Sequence, residues 1–300
     1  MGEGLTIEQI LDRLGLTGLA DTARAIEQRL PVTVPGDWRR LAAALAAGYL
    51  DGSPGPLEVL GISGGQGAGK STLAGALVAA LEQGGVRAAS LSLDDFYLTR
   101  AERDRLAGRV HPLLATRGVP GTHDVALAGA VIDALRAGRE VASPVFDKAA
   151  DDRLTDAEAR RIGPGVSVLI FEGWCLGATP QPAAALTAPV NDLERTADPD
   201  AVWRGYVNDC LAGAYAGLWQ RLDRLLFLAV PDIDAVVRWR TEQERQHEPR
   251  KRMGTAAVAR FVAHYERLTR WMLATLPETA DIVGFLDEKH ALADLRVRRF

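Results

Sequence analysis

The stretch LEVLGISGGQGAGKSTLAGALVAALEQ, residues 57–83, constrains the fold more than any other. A continuous apolar run (57–63) meets a glycine-rich turn, GGQGAGKS (64–71), which opens into a helical period of apolar residues. The turn fits the spacing G-x-x-x-x-G-K-[ST], and its place between strand and helix is the context that gives that spacing meaning. Glycines let backbone N–H groups turn inward as an anion nest, and the helix N-terminus adds partial positive charge. Gly64, Gly65, Gln66, Gly67, Ala68, Gly69, Lys70, Ser71 and Thr72 are therefore expected to seat the phosphates of ATP. Lys70 would reach the β- and γ-phosphates and the Ser71 hydroxyl would ligate Mg²⁺. Only 4 of the 35 basic residues are lysines, so a lysine inside this loop is not background usage.

Further short apolar runs follow: RAASLSL (87–93), VSVLIFE (166–172), RLLFLAV (224–230) and DIVGFLD (281–287), with ALADLRV (291–297) as a weaker strand candidate. They are continuous rather than alternating, which predicts a mostly parallel sheet covered on both faces: a doubly wound α/β fold. Helical periods lie between them, in residues 70–85, DVALAGAVIDALRAGR (124–139) and TDAEARRIG (155–163), the last opened by a Thr155–Glu158 capping box. Residues 5–50 also read as helical, with a Thr6–Gln9 capping box and a break at LPVTVPGDW (30–38). The turn-rich DGSPGP (51–56) predicts a boundary between an N-terminal helical segment, 1–55, and a nucleotide-binding domain, 56–300.

Two strands end in carboxylates. SLSLDDFY (90–97) places Asp94 and Asp95 at a strand exit, and VLIFEGW (168–174) ends a second strand on Glu172. In a doubly wound sheet, ligands collect beyond the carboxyl ends of the strands. Were 87–93 to lie beside 57–63, the paired Asp residues would emerge next to a bound γ-phosphate. One could then accept a substrate hydroxyl proton and the other bind metal-bound water, although spacing alone does not choose between them. Glu172 resembles the acidic end of a Walker B strand, suited to Mg²⁺ or to aligning the hydroxyl.

With these motifs in place the chain resembles the phosphoribulokinase and uridine kinase group of P-loop kinases. In that group one strand ends in a D-x-F-Y type segment and a later one in E-G, matched here by DDFY (94–97) and FEGW (171–174). It is most similar to the D-glycerate 3-kinase branch, through RGVPGTHD (117–124), PVFDKAADDR (144–153), FEGWCLGA (171–178), WRGYVNDCLAGAY (203–215) and WRTEQE (239–244). The resemblance implies a P-loop NTPase fold and transfer of the ATP γ-phosphate to the 3-hydroxyl of D-glycerate. It implies Asp94 as general base, Glu172 as the second acidic strand end, and Asp95 and Tyr97 as acceptor contacts. Alternative acceptors within the group are a nucleoside, pantothenate or a sugar phosphate, and a different class would be an ATP-binding regulator.

A small hydroxy acid needs a cation for its carboxylate. Arg117 and His123 in RGVPGTHD and Lys148 and Arg153 in PVFDKAADDR are the candidates, with Asp147 for hydroxyl recognition. Asp124 reads as a helix cap, and Trp174 and Trp203 as core. The cation-rich RWRTEQERQHEPRKRMG (238–254) reads as part of a lid, about 238–257, whose Arg240 and Arg245 would close over ATP. A net charge of −4 argues against a nucleic-acid-coating surface. Two cysteines, Cys175 and Cys210, fit a reducing compartment. No apolar run approaches the roughly 18–20 residues needed to span a bilayer, and the first residues lack a signal-peptide pattern. A cytoplasmic protein with a small-molecule acceptor is expected, with no membrane, nucleic acid or obligatory protein partner.

Overall fold

The structure, a computed structural model, describes residues 4–52, 55–246 and 254–300, without the side chains of residues 245, 246 and 255. Six strands form the central sheet: β1 (Glu58–Gly64), β2 (Ala88–Ser92), β3 (Val168–Gly173), β4 (Arg224–Ala229), β5 (Ile282–Leu286) and β6 (Leu292–Val297). Their order is β6-β5-β4-β1-β3-β2, parallel throughout except for β6, which runs antiparallel to β5. The predicted parallel sheet and all six strand candidates are therefore present.

Period-two alternation explains the continuous apolar strands. Leu60, Ile62, Val168 and Ile170 feed one core cluster, whereas Val59, Leu169 and Phe171 feed the other. Each strand buries both faces, so neither set of positions can be polar. The first cluster is closed by α1 (Ile7–Leu14), α2 (Ala20–Arg29), α3 (Gly36–Gly52) and α4 (Lys70–Gln83). The Thr6–Gln9 capping box opens α1, and Gly15 in left-handed conformation closes it. Ala42, Ala43, Ala44, Ala46 and Ala47 of α3 are all buried, and small side chains here let α3 approach its neighbours closely. The second cluster is covered in part by α6 (Val125–Arg136), which Asp124 caps through the Leu127 N–H, as expected. Helix α5 (Arg100–Arg109) packs against the 3₁₀ turn Pro112–Ala115 that follows it.

Two expectations are corrected. The strand carrying Asp94 and Asp95 does not lie beside β1: β3 runs between them, with Glu172 paired in register with Ile62 on one side and Ser92 on the other. TDAEARRIG is not a helix. Its Thr155–Glu158 capping box starts only one 3₁₀ turn, Asp156–Glu158, and Arg160–Ile162 then pairs with Val141–Ser143. Val141 and Ile162, partners in that ribbon, enter the second core, a burial that local helix propensity cannot match. No helix among the described residues is long and apolar enough to cross a membrane.

Candidate active site

The phosphate loop is held in shape by its neighbours. Gly64, Gly67 and Gly69 adopt φ of 153°, 83° and 87°. A Cβ would come within 2.8 Å of the Leu228 carbonyl oxygen at Gly64, 2.9 Å of Trp239 at Gly67 and 2.7 Å of the Trp38 indole at Gly69. These positions accept glycine alone, for both dihedral and steric reasons. Helix α4 has no side-chain cap, which leaves its first N–H groups directed at the loop. Lys70 Nζ donates to the carbonyls of Gly64 and Gly65 at 2.8 and 2.9 Å. Burial lowers the Lys70 pKa, opposed by the charges of Glu172 and Asp94. Ser71 Oγ donates to Glu172 Oε1 at 3.0 Å, joining the start of α4 to the end of β3.

Gln66, Gly67, Lys70, Ser71 and Glu172 form one side of a cavity of about 250 Å³. Asp94, Tyr97, Arg117, Lys148, Trp174 and Tyr265 are on its remaining walls, together with Arg240, Gln243 and Phe261. After β2 the chain makes a 3₁₀ turn, Leu93–Phe96, begun by Ser92 Oγ accepting from the Asp94 N–H. That turn separates the two carboxylates. Asp94 faces the cavity, accepting from Tyr97 Oη at 2.8 Å and Lys148 Nζ at 2.7 Å. Burial pushes its carboxyl up, but the Lys148 charge and the hydrogen bonds from Lys148 and Tyr97 outweigh this and hold it below the usual carboxylate value. Asp95 instead accepts from the Phe146 N–H, and burial raises its pKa. It is absent from the cavity wall, which corrects its expected acceptor contact.

Arg117 reaches the cavity with its guanidinium paired to Asp151 and placed 5.3 Å from the Phe146 ring. Its loop is pinned by Trp174 Nε1, which donates to the Gly118 carbonyl at 2.7 Å, and by Tyr265 Oη, which donates to that of Arg117 at 3.1 Å. Trp174, expected in the core, is thus also a wall of the cavity, while Trp203 is buried in a separate cluster as predicted. Three further expectations fail on geometry. His123 lies behind Tyr97, stacked on its ring, and burial pulls its pKa down to about 3, so it offers no cation. Asp147 accepts from the Ala149 N–H and shapes its own turn. Arg153 ties the Tyr97 carbonyl to Asp124. Lys148 lines the cavity from the tip of the ribbon formed by 146–147 and 152–153.

The far side of the phosphate loop faces a second cleft, about 710 Å³, whose walls include Thr72, Trp38, Arg40, Trp239, Lys289 and His290. Sequence reading named Thr72 but missed Trp38, Arg40, Trp239, Lys289 and His290, as it missed Tyr265 and Phe261; aromatic residues at helical spacing look like core. The only available signal was the aromatic content of segments flanking the motif. Arg240 sits between the cavity and the helix Thr255–Thr275, paired with Glu244 and 5.3 Å from the Phe261 ring. Arg245 lies outside the described side chains, as do residues 247–253 of the expected lid. A groove of about 580 Å³ beside β2 shares no residue with either space.

A five-stranded parallel array in this order, with a glycine loop joining β1 to α4 at its switch point, defines a P-loop NTPase fold. Over 230 residues the chain is 36% identical to an uncharacterized kinase of Schizosaccharomyces pombe, covering 73% of this chain and 82% of the relative. It belongs to the glycerate kinase and uridine kinase-like group of P-loop kinases. It is also 31% identical over 281 residues to the chloroplastic D-glycerate 3-kinase of Arabidopsis thaliana, 89% of this chain but 58% of the length of that relative. Among solved structures, D-glycerate 3-kinase from Cryptococcus neoformans superposes with a TM-score of 0.73 at 25% identity, over 87% of this chain and 99% of that one. No family model matches the chain. Membership of the group carries ATP-dependent phosphoryl transfer to a small molecule.

Proposed function

We propose that this kinase transfers the γ-phosphate of ATP to the 3-hydroxyl of D-glycerate, giving 3-phosphoglycerate. One observation carries the reading: an ionised carboxylate, Asp94, shares a cavity of about 250 Å³ with Lys70, Ser71 and the cations Arg117 and Lys148. A cavity of that size suits a small acid, and its cations suit a carboxylate. Both named D-glycerate 3-kinases to which the chain is similar support the same acceptor.

The loop N–H groups and Lys70 hold the phosphates, with the nucleoside in the cleft beside Thr72, Trp38 and Trp239. Arg117 takes the acceptor carboxylate, and Tyr97 and Lys148 orient the hydroxyl toward Asp94. Asp94 accepts the hydroxyl proton late, since the transition state is loose and most of the catalysis is positioning and electrostatics. Ser71 and Glu172 fit Mg²⁺: a hydroxyl and a carboxylate in contact are hard oxygen donors, and Mg²⁺ commonly takes one or two carboxylates plus phosphates and water. When bound, the ion neutralises charge on the phosphates. Arg240 adds positive charge at the mouth of the cavity and helps exclude water.

The test is a coupled assay across D-glycerate, uridine, pantothenate and ribulose 5-phosphate, followed by ³¹P and ¹³C NMR of the product. Turnover of D-glycerate at least tenfold above the others, with phosphate on the third carbon, is the expected result. Preference for another acceptor, or phosphate on the second oxygen, overturns the reading.

A further inference from the structure

Apart from Trp203, buried in its own cluster, the block WRGYVNDCLAGAY (203–215) takes no part in the contacts described so far. Its helix, Val202–Cys210, widens into a π turn over Leu211–Tyr215 before α-helical geometry returns at Ala216–Trp219. A π turn accommodates one extra residue, and such insertions recur at functional positions. Each residue advances about 100° around a helix, so one insertion changes which side chain faces a given neighbour. Here the side chain delivered to the 117–123 loop is Tyr215, which is 1% exposed.

Its hydroxyl has two partners. Tyr215 Oη accepts from the Gly121 N–H at 2.9 Å and lies 2.6 Å from His123 Nδ1. The buried phenol proton has no other acceptor within reach among the described residues, so Oη is assigned as donor and His123 Nδ1 as acceptor. The ring is then the neutral Nε2–H tautomer; burial accounts for its neutrality, and Nε2 itself is buried without a hydrogen-bond partner among the described residues. From His123 the route to the reacting centre is short. The imidazole stacks on Tyr97 with centroids 4.5 Å apart, and Tyr97 donates to Asp94. The two backbones are also joined: the Leu98 N–H donates to Thr122 O at 2.9 Å and the Asp124 N–H to Phe96 O at 2.7 Å. At Gly121, φ is 99° and a Cβ would approach the Tyr206 ring to 2.6 Å, so the loop rests on the same helical block at a second point.

We infer that Tyr215, delivered by the π turn, is a positioning residue for phosphoryl transfer, acting through Gly121 and His123 to hold Arg117 and Tyr97 in register with Asp94. The inference rests on the roles given above to Asp94 and to the 117–123 loop. Tyr215 itself touches neither nucleotide nor acceptor. Packing alone requires only the ring. The hydroxyl, buried with two partners, is what sets the loop.

Tyr215→Phe keeps the ring and removes the hydroxyl. Expected is a fall in kcat/KM for D-glycerate of roughly tenfold to a hundredfold, the size of effect that a misplacement of about 1 Å produces. The ATP dissociation constant, measured by titration calorimetry, stays within about twofold, a difference of about 0.4 kcal/mol. Wild-type kinetics in Tyr215→Phe, or equal losses of ATP and acceptor affinity, overturn the inference. Should that variant not fold, His123→Asn and His123→Gln make the same test from the other end. Asn places an acceptor near the Nδ1 position and Gln does not, so His123→Asn should retain at least fivefold more activity; equal activities overturn the inference. ¹⁵N NMR of the His123 ring needs no acceptor: an Nε2–H tautomer that is lost in Tyr215→Phe supports the link, and an unchanged ring overturns it. A wild type inert toward D-glycerate but with a Tyr215-dependent tautomer overturns the acceptor and keeps the positioning role.

Discussion

The nucleotide half and the acceptor half of this site are made of different materials. On the phosphate side the proposed ligands are backbone groups of one short loop, kept in place because three glycines leave no room for a Cβ against Leu228, Trp239 and Trp38. On the proposed acceptor side they are side chains from separate segments, and each arrives already paired. Lys148 is bonded to Asp94, Arg117 to Asp151 and Arg240 to Glu244. A backbone nest is indifferent to most side chains and binds whatever carries phosphates. A pocket of pre-paired charges selects, because an acceptor must offer a better partner than the one it displaces. Phosphate binding should therefore be separable from acceptor chemistry.

The largest expected effect tests that separation directly. Asp94→Asn should lower kcat by about 10²–10⁴-fold, the usual span for a general base, while calorimetry shows near-normal ATP binding. An active Asp94→Asn enzyme would remove the carboxylate from its role and the contrast with it. Next comes the opposite half. Lys70→Ala should weaken ATP binding by about tenfold to a hundredfold, the worth of one hydrogen bond to a charged group, and lower turnover too. If only turnover changes, the lysine acts on the transition state alone.

A smaller effect probes the pairing. The folded Asp94 carboxyl lies below its ordinary value, so the stability it contributes is present at neutral pH and is lost as pH falls through that depressed value. In Lys148→Met, burial is left as the largest influence and lifts the carboxyl. The acid limb of kcat/KM should then move to higher pH, read from paired pH–rate profiles; an unmoved limb means that Lys148 does not tune the base. The smallest effect belongs to Asp147, whose carboxylate accepts from the Ala149 N–H. Asp147→Asn keeps an acceptor oxygen, so KM for D-glycerate should stay within about twofold, as for an ordinary surface change. A tenfold rise would return Asp147 to the pocket.

Much of the fold was legible because its signals are local. The strand, glycine turn and helix of 57–83, the caps at Thr6 and Asp124, and the acidic strand ends are each written within a few neighbouring residues. The acceptor pocket was legible only in part. Arg117 and Lys148, named from charge and loop context, line the cavity, whereas His123, Arg153 and Asp147, named by the same reasoning, turn to Tyr97, Asp124 and Ala149. It passed over Tyr265 and Trp38, which sit in helical stretches and line the two spaces as well as the core.

By itself, the sequence determined a phosphate loop at the carboxyl end of a strand, a parallel sheet and two acidic strand ends. Backbone dihedrals, caps and apolar runs act over a few residues and need no distant partner. Tertiary structure alone decided that β3 runs between β1 and β2, that Asp94 rather than Asp95 faces the cavity, and that Trp38 lies against Gly69. Sheet order and side-chain direction follow from burial shared among residues far apart in the chain, and no short stretch carries that information.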